Sequence, residues 1–322
     1  MDTQQSTTAE VKDPFLRFLN EDQCKKVHQA TLELLERTGV WIGDAACLEM
    51  LRGAGARVVE KTAQKDSKFN TRVQIPASLV EDAIRSAPET VTIYNRQGEI
   101  AMVLAERNYY FGCHGDNPDF IDPYTHQRIK MGYAEIEMLT TLIDYLPNVD
   151  WVLSGANCYG QNLKFQDRFC AEAILKNTSK PVLFCPETVE TVTDIVDMAA
   201  AIVGGHDTVL EKPYVVCLDE PISPLLHGPE SIGRVFLCAD MGLPIIYVPM
   251  PMAGVSAPCT MIGPVLIGNA ESLSGLVIHQ LRRKGAPYIY GALPSTADMT
   301  HGSVSYTHLT LPTTGHECSC GG

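Results

Sequence analysis

Four short apolar runs, each opened by a proline, punctuate the second half of this 322-residue chain: Pro181-Val-Leu-Phe-Cys185, Pro213-Tyr-Val-Val-Cys217, Pro244-Ile-Ile-Tyr-Val248 and Pro287-Tyr-Ile-Tyr-Gly291. A strand covered on both faces reads as an unbroken apolar run. Proline fits its first position, where the ladder does not yet need an N–H donor. The starts at 181, 213 and 244 lie 32 and 31 residues apart, room for a strand, a crossover helix and two short loops. The step from 244 to 287 is longer because a loop from Pro249 to Pro264 is inserted. Val149-Asp-Trp-Val-Leu153, after Leu146-Pro-Asn148, extends the series backward, and Tyr109-Tyr-Phe-Gly-Cys113 is its predicted first strand.

Helices are predicted between these runs, over 133–146, 165–177, 189–203, 229–241 and 268–284. Strand alternating with helix predicts an α/β fold of the TIM (β/α)8 type. Six strand positions are counted by residue 291 where a closed barrel needs eight, so the expectation is a barrel truncated after about six strands. Ahead of it, Asn20 with Gln23 three positions on reads as a helix cap, with the helix ending at Gly39. A second short helix spans about 44–52, and 91–94 with 100–103 reads as an antiparallel pair around the Arg96-Gln-Gly98 turn. The expected organisation is a disordered start at 1–13, an α+β cap over 14–107, the partial barrel over 108–302 and a non-native tail over 303–322. The tail reading rests on Val304-Ser-Tyr-Thr-His-Leu-Thr-Leu-Pro-Thr313, which can be encoded by DNA resembling a transposase adapter used for sequencing libraries.

Twenty-five basic against 38 acidic residues leave a net charge of −13, which argues against nucleic acid or an anionic membrane as partner. The start has no apolar stretch resembling a secretory signal, and the uncharged stretch 242–269 is broken by five prolines, so a cytoplasmic, non-membrane protein is expected. Homo-oligomer formation is compatible with this reading. Of eleven cysteines, the nine before the tail include no Cys-x-x-Cys pair and are expected to be buried free thiols.

Barrel enzymes gather their chemistry at the carboxyl ends of the strands, which nominates specific residues. His114 and Asp116 lie on a Gly-Cys-His-Gly-Asp turn whose glycines would allow a ligand close; Glu187 and Glu220 follow the third and fourth strands. Tyr247 and Tyr290 lie in strands, where they either fill the core or line a pocket for a quaternary ammonium group. No catalytic residue is assigned. Cys113, His114, Cys185 and Cys217 would have to converge to hold zinc, and their spacing does not support it. Gly-x-Gly-x-x-Gly after a strand, a Walker-type loop and Gly-x-Ser-x-Gly are all absent, so nucleotide binding and serine hydrolysis have no support.

Pro249-Met-Pro-Met-Ala-Gly-Val-Ser-Ala-Pro258, Asn269-Ala-Glu-Ser-Leu273, Gly275-Leu-Val277, Gln280-Leu281 and Gly285-Ala-Pro-Tyr-Ile-Tyr-Gly291 resemble the trimethylamine methyltransferase family, as do Ser223-Pro-Leu-Leu-His227 and the segment 134–149. The likeness runs from about Phe18 to Met299. It implies a TIM barrel that moves a methyl group from a tertiary or quaternary amine to the Co(I) form of a corrinoid carried by a separate protein. One branch of the family uses pyrrolysine and trimethylamine, and the other, including glycine betaine enzymes, lacks it. No pyrrolysine occurs here, but the sequence ends near the part of the barrel where that residue would be expected; the betaine-type branch is the expected one. On this reading the protein binds no cofactor alone, and its partners are a corrinoid protein and a small amine. His114, Asp116, Glu187 and Glu220 would supply polar contacts, Tyr247 and Tyr290 aromatic ones. The alternatives are a barrel enzyme using His114 and a carboxylate as acid and base, in the manner of an aldolase or decarboxylase, and an inactive fragment.

Overall fold

A computed structural model describes residues 18–61, 71–105, 108–300 and 303–304. Its centre is a sheet of six strands: β1 (Gly112–His114), β2 (Trp151–Ser154), β3 (Val182–Phe184), β4 (Val215–Asp219), β5 (Ile245–Tyr247) and β6 (Tyr288–Tyr290). They lie side by side in chain order, every neighbouring pair parallel. Each proline sits one or two residues outside its strand and contributes only its carbonyl: Val152 N–H donates to Pro181 O and Cys217 N–H to Pro244 O.

The first two helices open the chain. α1 (Glu21–Arg37) begins with the predicted capping box between Asn20 and Gln23, and Asp44 caps α2 (Ala45–Gly53). α3 (Ala77–Ser86) completes the early helices. The crossovers are α4 (Tyr133–Tyr145), α5 (Gln166–Asn177), α6 (Val189–Val203) with the short α7 (His206–Glu211), α8 (Pro229–Met241) and α9 (Ile262–Arg282). Four match the predicted segments to within a residue. α9 starts six residues earlier, at Ile262. Closure of a barrel is not found among the described residues: β1 and β6 are the two edges of the sheet.

The two faces of the sheet are covered differently. Val152, Val182, Phe184, Val215, Cys217, Ile245 and Tyr247 pack with the helices in the main core. The alternate residues Trp151, Leu153, Leu183, Val216, Ile246 and Ile289 meet a hairpin of Val91–Tyr94 and Ile100–Leu104. That hairpin is tied to the amino-terminal side of the sheet, Tyr94 N–H to Pro213 O and Arg96 N–H to Ser179 O. A cavity of about 150 Å³ lined by Met102, Tyr110, Trp151, Val216 and Ile289 remains between them. The sheet next to α1 runs Leu226–His227, Val40–Ile42, Thr71–Gln74, Arg57–Lys61, so it borrows an edge strand from the loop after β4. Of the suspected tail, Ser303 and Val304 pair with Asp298 and Ala297; the remainder lies outside the described residues. No described helix is long and apolar enough to cross a membrane. The described cysteines are free thiols; Cys113 and Cys185 are only partly buried, and Cys24 and Cys259 are exposed.

Candidate functional site

Period-two alternation decides which side chains reach the hairpin side of the carboxyl edge. In register, His114 stands with Leu153, and Cys185 and Glu220 continue the parity of Leu183 and Val216; Asp219, Tyr247 and Tyr290 share the opposite, helix-facing parity. Cys113 and Cys217 also point toward the helices, away from His114 and Cys185. The described residues contain no group of three or more His, Cys, Asp or Glu side chains able to hold a metal ion.

His114 is exposed at the end of β1. Asp116, two residues on, is fully buried and accepts hydrogen bonds from Gly155 N–H at 2.7 Å and Asn157 N–H at 2.8 Å. Both its oxygens are thereby spent on shaping the loop after β2. The glycines of this turn allow close packing. A Cβ on Gly112 would lie 2.1 Å from the Trp151 ring and one on Gly115 2.8 Å from Val152. Glu187 and Glu220 are exposed, and neither carboxylate has a hydrogen bond or ion pair to the described residues. The pKa of Glu220 is raised by partial desolvation and then by Asp219 beside it.

The two tyrosines do not line an opening on the hairpin side. Tyr247 is 1% exposed, wedged against Gly275 of α9, and its hydroxyl meets His227 Nδ1 at 2.7 Å and Ser231 Oγ at 3.3 Å. Tyr290 turns the same way and donates to Asn269 Oδ1 at 3.0 Å. Their strand positions have the helix-facing parity, so alternation alone excludes them from the other face.

Behind the carboxyl edge lies a buried polar layer that the sequence reading missed. Asp219 accepts from Arg234 Nη2 at 2.6 Å, Arg234 Nε at 3.0 Å and Ser231 Oγ at 2.7 Å. Burial raises the Asp219 pKa, and Arg234 offsets much of that by stabilising the charge. His227 Nε2 meets Ser274 Oγ at 2.8 Å, and burial pulls its pKa down to about 4, so it is neutral at pH 7. Glu271 holds the 223–225 loop through Ser223 Oγ and Leu225 N–H, with its pKa raised by burial to about 7. The signal available in the sequence was polar residues at apolar helix positions: Ser231 lies on the stripe of Ile232, Val235 and Cys238, and Glu271 and Ser274 on that of Leu273 and Val277.

The thiols at this edge are held protonated. Burial, then Glu220 and Asp219, push the Cys185 pKa to about 12, and burial raises that of Cys113. Neither is a nucleophile near neutral pH.

The family model for trimethylamine methyltransferase (MTTB) matches residues 1–308. A trimethylamine methyltransferase MttB of Desulfitobacterium hafniense (strain DSM 10664 / DCB-2) is 32% identical over 295 residues, covering 92% of this chain and 58% of the relative. The glycine betaine methyltransferase of D. hafniense (strain Y51) is 29% identical, covering 91% and 59%. A trimethylamine methyltransferase MttB of Methanosarcina barkeri is 27% identical, covering 89% and 58%. The chain thus spans less than two thirds of the length of these relatives.

Proposed function

The chain belongs to the trimethylamine methyltransferase family, and from that premise we propose that it binds a methylated amine, tertiary or quaternary, at the carboxyl edge of the six-stranded sheet and presents one methyl group for transfer. The six strands are read as part of an eight-stranded barrel whose mouth is this edge. The corrinoid, carried by a separate protein, would supply a Co(I) nucleophile that accepts the methyl group.

One observation carries the reading. The edge offers exposed carboxylates without an ion-pair partner and protonated thiols, but no activated nucleophile among the described residues. Such an edge suits a protein that holds a cation and leaves the attack to an outside group. A quaternary nitrogen departs as a neutral amine, so no general base is needed, and positioning with exclusion of water is the protein's contribution. Glu220, open on the hairpin side, is the natural counter-ion for the ammonium head. The uncharged loop 249–261 next to it, with Met250, Val255 and Met261 exposed, is the surface we assign to the corrinoid partner. The acid–base alternative has less support, because Asp116 bonds the loop amides rather than His114.

The test is methyl transfer from trimethylamine, glycine betaine and related betaines to a Co(I) corrinoid protein, followed by the loss of the Co(I) absorbance. It is run with this chain alone and within a chain of its relatives' length. Transfer from one of these donors is expected. Turnover of a carbonyl substrate with a bell-shaped pH profile and no corrinoid requirement would replace this reading with the acid–base one.

A further inference from the structure

Glu187 is exposed, yet both ends of its peptide are held by charged side chains from two different helices, one buried and one largely so. Its N–H donates to Asp167 Oδ2 of α5 at 3.2 Å, and its carbonyl accepts from Arg234 Nη1 of α8 at 2.9 Å. Asp167 is 2% exposed and also takes Thr191 Oγ1 at 2.7 Å and Arg168. The other two nitrogens of Arg234 go to Asp219 Oδ1, and Ser231 takes Asp219 Oδ2. One guanidinium therefore ties the loop after β3 to the last residue of β4, and Glu220 is the next residue in the chain.

A buried ion pair is poor evidence of stabilisation, since well-packed apolar residues in its place often serve the fold as well or better. What arginine supplies and an apolar pair cannot is a rigid fork whose three nitrogens fix two acceptors, Asp219 Oδ1 and Glu187 O, relative to one another. The same arrangement divides two adjacent acids between two tasks. Asp219 is saturated with donors on the helix face, while Glu220 stands on the other face without a partner among the described residues.

We propose that Arg234 is a positioning residue that fixes the loops after β3 and β4 against each other, and that Glu220 is the carboxylate it positions to receive the cationic head of the substrate. This rests on the reading of the carboxyl edge as the amine site, with Glu220 as its counter-ion, and adds to it the residue that positions that counter-ion. The groups facing Glu220 are Asp219 in its own strand, Arg234 from α8 and Cys185 from the end of β3.

The experiment uses the 322-residue chain with tetramethylammonium as probe, affinity by calorimetry, thermal unfolding as control, and amide hydrogen exchange over 185–188 and 219–222. Arg234→Lys keeps a positive charge opposite Asp219, yet its single ammonium cannot reproduce the fork. It is expected to weaken binding at least roughly fivefold, with little change in Tm and faster exchange in both loops. Glu220→Gln is expected to weaken binding roughly tenfold or more with exchange unchanged. The double variant should bind no more weakly than Glu220→Gln alone. Wild-type affinity in Arg234→Lys, or additive losses in the double variant, would overturn the proposal. If the wild-type chain binds no tetramethylammonium while Arg234→Lys still speeds exchange in both loops, the amine site and the Glu220 role fall and the brace stands.

Discussion

Replacing Asp116 by alanine removes the one acceptor that two backbone amides share. In the structure Gly155 N–H and Asn157 N–H point at the two oxygens of a fully buried carboxylate, and the residue between them, Ala156, has φ 68°, a left-handed conformation that alanine adopts only when held there. Each buried donor left without a partner costs about 1–3 kcal/mol. Relief of the Ala156 strain as the loop relaxes returns about 1 kcal/mol of this. The expected net loss for Asp116→Ala is about 1–5 kcal/mol, read as a lower midpoint of urea unfolding at unchanged slope. Asp116→Asn, which keeps one carbonyl oxygen, should lose about half as much. His114→Ala, at an exposed side chain two residues away, should stay within about 0.5 kcal/mol of wild type. An Asp116→Ala chain as stable as wild type but deficient in tetramethylammonium binding would refute this assignment and return Asp116 to the list of ligand contacts.

Tyr247→Phe should keep the ring packing against Gly275 and lose the hydroxyl contacts to His227 and Ser231, destabilising the chain by about 1–2 kcal/mol while leaving tetramethylammonium affinity unchanged. Weakened binding at unchanged stability would mean that the ring reaches the substrate after all. Glu271→Gln tests the buried carboxyl on α9. Its folded pKa of about 7 stands above the ordinary 4.5, so the folded state holds the proton more tightly and this group's contribution falls as pH rises from about 4.5 to about 7. The variant, which cannot titrate, should therefore gain on wild type by up to about 3 kcal/mol across that window in paired unfolding curves, and a pH-independent difference would refute the shift.

The six-strand rhythm was legible because a parallel strand buried on both faces leaves few choices: apolar, short, and opened by a residue that needs no ladder bond. Hence the runs after Pro181, Pro213, Pro244 and Pro287 fall on β3 to β6 with their ends shifted by a residue or two, while β1 starts three residues later than Tyr109. The edge was legible in part. His114, Glu187 and Glu220 stand at strand ends, as the barrel pattern demands. Two kinds of information were out of reach. The parity of Tyr247 and Tyr290 depends on which face each strand turns to the helices, and a wholly apolar strand carries no alternation to reveal it. The partners of Asp116 and Asp219 lie 39 and 15 residues away, so a carboxylate at a strand end looks the same whether it faces a ligand or a loop amide. The hairpin of Asp119–Ile121 with Arg128–Lys130 and the edge strand Leu226–His227 also escaped notice, since two or three residues are too few for a period to show.

Asp219 and Glu220 are consecutive acids with opposite fates, and the cause is the pleat: successive side chains leave a strand on opposite faces. On the helix face a carboxylate must be paired, because burial penalises its charge, and Arg234 with Ser231 does so. On the other face the neighbouring carboxylate is exposed and has no ion-pair partner among the described residues, Arg234 acting on its charge without a direct contact. A one-residue slip of β4 would exchange the two, placing the unpartnered acid among the helices and the paired one in the open. Register is held against that slip by the apolar residues of the same strand, Val215 and Cys217 toward the helices and Val216 toward the hairpin. The charge offered to an incoming amine is thus set by the same packing that holds β4 in the sheet.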